Sequence, residues 1–462
     1  MEKHLREYFG LLLVTLVISS CSVLRSYERP KTTETNTFRN QQNADTTTIA
    51  NLPYTQIFSD TILQNLIQEG LANNLDLQVA YTRIQQTQAL YAQSRAAFLP
   101  SLDANAGVTK SKLSDAQGFG IRTQQTLFQL GVSSSWEADI WGRLKSSRRA
   151  NLATLLQTET AARTIQTTIV AAIANNYYLL LALDQQVAIT EQTVRNWDAT
   201  VISMKELKEA ARVTEAAVVQ SEAQRYAVEV TIPDLKQQIL ETENLLSILL
   251  GRTSAPINRS LLASQQPFAD LATGIPAQLL ANRPDLQEAE YTYRNTFELT
   301  NVARTAFYPS LSLTGSAGFS SLSLENLINP AALAASIGAG LTQPIFNHHR
   351  NKTNLEVATA QQQAALLNFR NAYLVAGQEV SNALSLHEKA VQKMTVRTNQ
   401  INALQLSVEY TEELLSNGFA NYNEVITARQ SLLTAELGSV NDKLQQLQAT
   451  VNLYRSLGGG WQ

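Results

Sequence analysis

From Arg143 to Ile232 the sequence contains neither glycine nor proline, and apolar residues recur every seven positions at Ile173, Leu180, Val187, Val194 and Val201. A breaker-free run with a sustained 3.5-residue period keeps one seam against a partner only if helices supercoil left-handedly. The second half repeats the device. After Pro344 there is no further proline, and Gly377 is the one glycine before Gly418. Leu366, Tyr373, Val380, His387, Met394, Ile401, Val408 and Leu415 fall in step, as do Ile426, Leu433, Val440, Leu447 and Tyr454 on the return path. At a 1.5 Å rise, a helix over about 143–208 is roughly 100 Å long, a rod and not a globular core. The second rod turns back at Ser416-Asn417-Gly418-Phe419, followed by polar Asn421-Tyr422-Asn423. Aligning Val218 with Val425 puts the first turn at Glu209–Thr214, with Ala211 opposite Gly418. Pro233 is expected either to kink the returning helix or to mark a helix boundary.

The chain is a tandem duplication. Leu71-Ala-Asn-Asn-Leu-Asp-Leu-Gln-Val-Ala80 returns as Leu280-Ala-Asn-Arg-Pro-Asp-Leu-Gln-Glu-Ala289, a shift of 209, and Arg95, Ala97, Phe98 and Pro100-Ser101-Leu102 match Arg304, Ala306, Phe307 and Pro309-Ser310-Leu311. The expected division is a first repeat over 59–265 and a second over 266–462. Each opens with a helix of about 40 residues, near 59–98 and 276–307, and continues into period-two segments. These run through Leu102, Ala104, Ala106 and Val108; Phe128, Leu130, Val132, Ser134 and Trp136; Leu311, Leu313, Gly315 and Ala317; and Ile337, Ala339, Leu341 and Gln343. Segments of this length with apolar and small polar residues alternating match transmembrane β-strands. Strands cross lipid only as closed barrels, and barrels start at about eight strands. Four strands per chain therefore require at least two chains; this count leaves dimer and trimer open.

Lys3 and Arg6 precede the apolar run from Phe9 to Ile18, which ends in Ser19-Ser20-Cys21. The run is too short to span a bilayer comfortably and reads as a signal peptide over 1–20. Cys21 is the single cysteine and sits where a lipobox places the residue to be acylated. Residues 21–58, rich in Thr, Asn and Gln, are expected to form a lipidated tether. Charged residues make up 16% of the chain and the net charge is −3, which gives no basic footprint for nucleic acid.

These residues carry a resemblance covering nearly the whole mature chain. With Cys21 after its lipobox come Trp136-Glu-Ala-Asp-Ile-Trp-Gly-Arg143, Asn282-Arg-Pro-Asp285, Phe307-Tyr-Pro-Ser-Leu311, Gln343-Pro-Ile-Phe346 and Ser456-Leu-Gly-Gly-Gly-Trp461. Together, in this order, the chain resembles the TolC-like outer-membrane factor family in its lipoprotein branch. The resemblance implies a mainly α protomer with a membrane β-barrel. Three copies would form a tunnel of twelve strands and periplasmic coiled coils that conducts small molecules such as drugs to the exterior. It also implies a periplasmic membrane-fusion adaptor and an inner-membrane efflux pump as partners. The family's periplasmic constriction falls on Glu424 and Thr427, the second a departure from an acidic residue; the matching first-half position is Ala217. Adaptor contacts fall on the tips: Ala211, Arg212, Val213 and Thr214, and Asn417, Gly418, Phe419 and Asn421.

No catalytic constellation or cofactor is expected beyond the covalent lipid. His348-His349, with Glu356 the nearest carboxylate, reads better as a turn after the barrel than as a metal site, and His387 reads as a seam residue. Gly458-Gly459-Gly460 lacks the Lys-Ser or Lys-Thr of a phosphate loop. Arg148-Arg149 is expected to face solvent near the membrane surface. The competing reading is a lipid-anchored periplasmic coiled-coil scaffold without a pore, whose hairpins would need an apolar face on a core.

Overall fold

The structure is a computed structural model and describes residues 23–30, 48–112, 124–268 and 279–461; the signal segment and Cys21 lie outside them. Two long helices dominate: α3 (Arg143–Glu209) and α7 (Arg350–Ser416), each of 67 residues. Ahead of them, α1 (Thr61–Asn73) and α2 (Leu75–Ala96) lead into β1 (Ser101–Lys112) and β2 (Gln124–Ala138). After α3 come α4 (Glu215–Glu229) and α5 (Thr231–Leu249). The second half runs α6 (Pro284–Thr305), β3 (Ser310–Ser321), β4 (Leu333–Thr342), α7 and α8 (Tyr422–Ser456). The duplication survives in element length: α2 and α6 have 22 residues each, and β1 and β3 have 12.

Three details add to the sequence reading. The opening helices are broken. Asn74 ends α1 and restarts the chain as α2, its side chain accepting the Leu77 N–H at 3.1 Å and donating to the Leu249 carbonyl at 2.9 Å. In the second half Arg283 precedes Pro284, which disfavours a helical conformation at Arg283, and Pro284 then begins α6, where a missing N–H costs nothing. Of the two expectations for Pro233 the helix boundary is the one seen: the break is at Val230, and Pro233 sits in the first turn of α5, whose N–H groups have no intrahelical acceptor. The tether is docked wherever it is described: Ile49, Ala50, Ile57 and Phe58 are buried in a core with Ile173, Tyr177, Leu180 and Val380.

The chain divides into two compact units. The first comprises Met1–Lys31, Ile84–Thr158 and Ala289–Phe369 and contains the sheet; the second comprises Thr32–Arg83, Glu159–Glu288 and Arg370–Gln462 and contains that core. The heptad positions supply it: Ile173, Leu180 and Val380 are fully buried, and Val440 and Leu447 are nearly so. Within it the Asp60 carboxylate accepts from Tyr177, Ser260 and Gln265 and from the Ile62 N–H. Burial alone would raise the Asp60 carboxyl, but these donors outweigh it and hold it below the usual range. Burial pushes Tyr177 up to about 12.

Two of the motifs quoted above meet in the second unit. The buried Arg283 guanidinium bonds Asp285 at 3.0 and 2.6 Å, the Ser456 carbonyl at 2.8 Å and Glu379 at 2.8 Å. The Asn282 carbonyl accepts from the Trp461 indole at 2.9 Å. A Cβ at Gly458, φ +94°, would stand 2.3 Å from that carbonyl, so the chain end can close on the motif only with glycine there.

Candidate functional site

The strands form one antiparallel sheet in the order β1-β2-β3-β4. Alternation gives it two unlike faces. One carries Leu102, Ala104, Ala106, Val108, Phe128, Leu130, Val132, Trp136, Leu311, Leu313, Ala317, Ile337, Ala339 and Leu341. The other, apart from Leu127, carries small and polar residues in rows across all four strands, Asp103–Ser133–Ser316–Ser336 and Asn105–Gly131–Gly318–Ala334. The Ser316 and Ser336 hydroxyls lie 2.8 Å apart on it. Its carboxylates are Asp103 and Glu137, and Glu137 is held by Arg143. Gln343, expected in the last strand, lies just past it and donates to the Phe307 carbonyl.

Both faces are uncovered. Ile337 is 95% exposed and Leu102 75%. A soluble hairpin would press its apolar face on a core, and no described residue covers this one.

The end of the sheet that joins the helices is built from Trp136–Arg143. Trp136 donates to the Phe98 carbonyl at 2.9 Å and Trp141 to the Pro309 carbonyl at 2.7 Å. Asp139 accepts the Leu144 and Lys145 N–H groups, both at 2.9 Å, and so caps α3. Gly142, φ +76°, leaves room for Leu24, whose Cδ1 would lie 2.4 Å from a Cβ there. In the second half the strands keep the offset of 209, but α3 and α7 start 207 apart. His348-His349 therefore stands where the first half has Asp139–Gly142, with both histidines at positive φ (+53° and +64°). They form the turn into α7, with the Phe346 and His348 rings 4.9 Å apart.

The two rods turn back by the same bonds. Ala211 and Arg212 donate to Lys208 and Leu207; Gly418 and Phe419 donate to Leu415 and Leu414. This is a Schellman closure, and Ala211 (φ +56°) occupies the left-handed position that Gly418 (φ +79°) takes in the second turn. Because Cβ crowds that conformation, Ala211→Gly is expected to stabilise and Gly418→Ala to destabilise, each by about 1 kcal/mol. Thermal unfolding checks both signs, and a stabilising Gly418→Ala would refute the assignment. Behind the tips Met204, Val218, Leu415 and Val425 form a small buried cluster. Arg212 reaches the Ser416 carbonyl at 2.7 Å. Thr214 and Asn417 are exposed, Val213 half-buried, and Asn421 caps α8 through the Asn423 N–H at 2.6 Å. Phe419 is left 83% exposed.

Glu424 is exposed in the first turn of α8, where the helix dipole favours a carboxylate. Arg429, a possible partner by spacing, instead pairs with Glu412 and lies over the Trp197 ring at 6.0 Å. Thr427 is exposed and donates to the Asn423 carbonyl at 2.8 Å. Ala217 is fully buried and can line nothing. Sequence reasoning gave no role to Trp197 or Asp139. An Asp a few residues before a breaker-free run was the available sign of a cap; for Trp197 periodicity gave none.

Comparison with known proteins gives a consistent picture. The family model described as outer membrane efflux protein matches residues 66–252 and 275–459. The chain is 28% identical to the cation efflux system protein CusC of Escherichia coli O6:H1 over 97% of its length and 98% of the relative's. It is 27% identical to the solvent efflux pump outer membrane protein SrpC of Pseudomonas putida over 97% of each chain. In fold it is similar to the outer-membrane channel OprN, with a TM-score of 0.89 at 24% identity, covering 96% of this chain and all of that one.

Proposed function

The chain belongs to the outer membrane efflux protein family, whose members are channels and not enzymes, and from that premise we propose that three copies close one twelve-stranded barrel. The observation that carries this is the uncovered sheet with one apolar and one polar face. In lipid, the unpaired edges of β1 and β4 would each leave amides unsatisfied at several kcal/mol apiece, and pairing β4 of one copy with β1 of the next removes both. Three copies give a polar interior of Ser, Thr, Gly and Asn wide enough to conduct. Such a surface discriminates little, and the relatives' names mention cations in one case and solvents in the other. Substrate choice then lies with an inner-membrane pump.

The paired rods extend into the periplasm, and their tips meet a membrane-fusion adaptor. The exposed Phe419, with Arg212, Val213, Thr214, Asn417 and Asn421 around the turns at Ala211 and Gly418, supports that role. Residues 1–20 act as the signal peptide, and Cys21 carries the lipid, three residues ahead of Leu24 and its seat on Gly142. The halves over 59–265 and 266–462 each supply two strands and one hairpin. A pore-free scaffold is disfavoured because it leaves the apolar face without a partner.

Glu424 is unpaired and exposed, which suits a narrow ring of three carboxylates with Thr427 one turn on. Like charges confined there repel one another and attract cations. Purified protein should give a three-chain mass by native mass spectrometry, with lipid mass on the processed Cys21, and conductance in a planar bilayer. Glu424→Gln should lower cation selectivity and raise resting conductance. A folded monomer would sink the barrel; unchanged selectivity and conductance in the variant would remove only Glu424 from the constriction.

A further inference from the structure

Residues 23–30 lie antiparallel along α6. Leu24 meets Gly142 beside the sheet, Arg25 meets Asn301, the Tyr27 ring packs on Phe297 and Tyr293 at 5.6 and 5.9 Å, and Arg29 grips Glu290 at 2.7 and 2.6 Å. The contact at Asn301 differs in kind from the one at Glu290. Asn301 is fully buried and holds the Arg25 backbone at both ends, accepting its N–H at 3.2 Å and donating to its carbonyl at 3.0 Å. The same Asn301 oxygen accepts from the Arg304 guanidinium at 2.7 Å. Two cationic residues are thereby fixed to one amide.

Among the described residues neither guanidinium forms an ion pair. Glu298, one turn before Asn301 on α6, is 2% exposed, touches the Asn301 amide at 3.4 Å and lies 3.8 Å from Arg149. Glu298 is thus engaged by Arg149 and the Asn301 amide, whereas Arg29 is paired with Glu290, which the Tyr27 hydroxyl also reaches at 3.3 Å. The final turn of α6 favours one cation through the helix dipole, but not a second. Burial and the nearby Arg25 hold Arg304 below its ordinary range, in keeping with an uncompensated pair.

Place supplies the ligand. Arg304 is in the last turn of α6, shortly before β3 opens at Ser310. Around that end of the sheet, Leu99, Phe307 and Ile345 are exposed, and the apolar face begins at Leu311. On the barrel reading above, this is the depth at which acyl chains give way to headgroups. Guanidinium groups match a phosphate in geometry and charge and bind it with paired hydrogen bonds. We propose that Arg25 and Arg304 hold the phosphate of an anionic phospholipid in the leaflet at the periplasmic edge of the barrel, next to the strap that leads to Cys21.

The test is native mass spectrometry of the full-length protein in detergent, titrated with phosphatidylglycerol or phosphatidylcholine. Wild type should retain phosphatidylglycerol in preference, and Arg25→Gln should weaken that retention about ten-fold, the order of one charge-assisted contact. Arg25 reaches Asn301 through its backbone, so this variant leaves the strap docked; adding Arg304→Gln should abolish the preference. Equal retention of the two lipids by wild type, or undiminished preference in the double variant, overturns the proposal. Displacement of the lipid by millimolar inorganic phosphate would also overturn it, showing a site for free phosphate. Bilayer conductance separates the two readings. Its absence in wild type sinks the channel, while intact conductance without lipid preference sinks this inference alone.

Discussion

Ile337→Arg is expected to cost about 2–4 kcal/mol of barrel stability, while Ser336→Arg beside it is expected to cost far less. The two residues are neighbours in β4 and point to opposite faces. Ile337 is 95% exposed on the apolar side, in register with Gly315, and Ser336 shares a hydroxyl contact with Ser316 on the polar side. If the apolar face meets lipid, a guanidinium near the middle of β4 must be buried in hydrocarbon or drag water with it. On the polar face the same group stays hydrated, narrows the pore and adds positive charge to it. Heat-modified gel mobility and outer-membrane yield read the first effect; conductance and reduced cation selectivity read the second. Equal tolerance of both substitutions would mean that neither face meets lipid, and the channel would lose its structural basis.

Arg283→Gln is expected to destabilise the second unit by about 3–5 kcal/mol, the range for removing one partner from a buried ion pair. Arg283 is nearly inaccessible and serves Asp285, Glu379 and the Ser456 carbonyl together. Without it, Glu379 keeps only Arg455, at 3.3 Å, and the Ser456 carbonyl loses its donor. Glutamine replaces at most one of these bonds. The change should appear as a lower unfolding midpoint in urea, with conductance of surviving channels unaltered. A shift well under 1 kcal/mol would mean that the chain end is held by Trp461 and the glycine turn instead.

What the sequence made legible follows from the range of the interactions involved. The rods were readable because a seam repeats every seven residues and needs only local spacing; α3 ends at Glu209, beside the expected turn. The sheet faces were readable for the same reason at period two. Ala211 as a turn residue was not visible in its own neighbourhood and emerged only by alignment with Gly418. The break at Asn74 was missed because it rests on a partner far along the chain, Leu249, whereas the break at Arg283 was marked locally by Pro284. The docked strap was missed for a related reason. Its few apolar residues, Leu24, Tyr27, Ile49 and Phe58, are too sparse to carry a period, and each is bought into place by a pocket made elsewhere. Spacing alone also could not show that Arg429 pairs with Glu412 on α7 and not with Glu424.

The exchange of Asp139–Gly142 for His348-His349 also sets a phase. Each residue of an α-helix turns the chain by about 100°, so removing two rotates everything downstream by about 200° unless the turn absorbs it. Two consecutive left-handed histidines are a backbone route by which α7 can still start with its seam on the required side. The turn thus works as an angular coupling between a flat element with period two and a rod with period three and a half. One residue inserted there would swing that seam by more than a quarter turn along the whole helix while leaving every side chain of β4 and α7 unchanged.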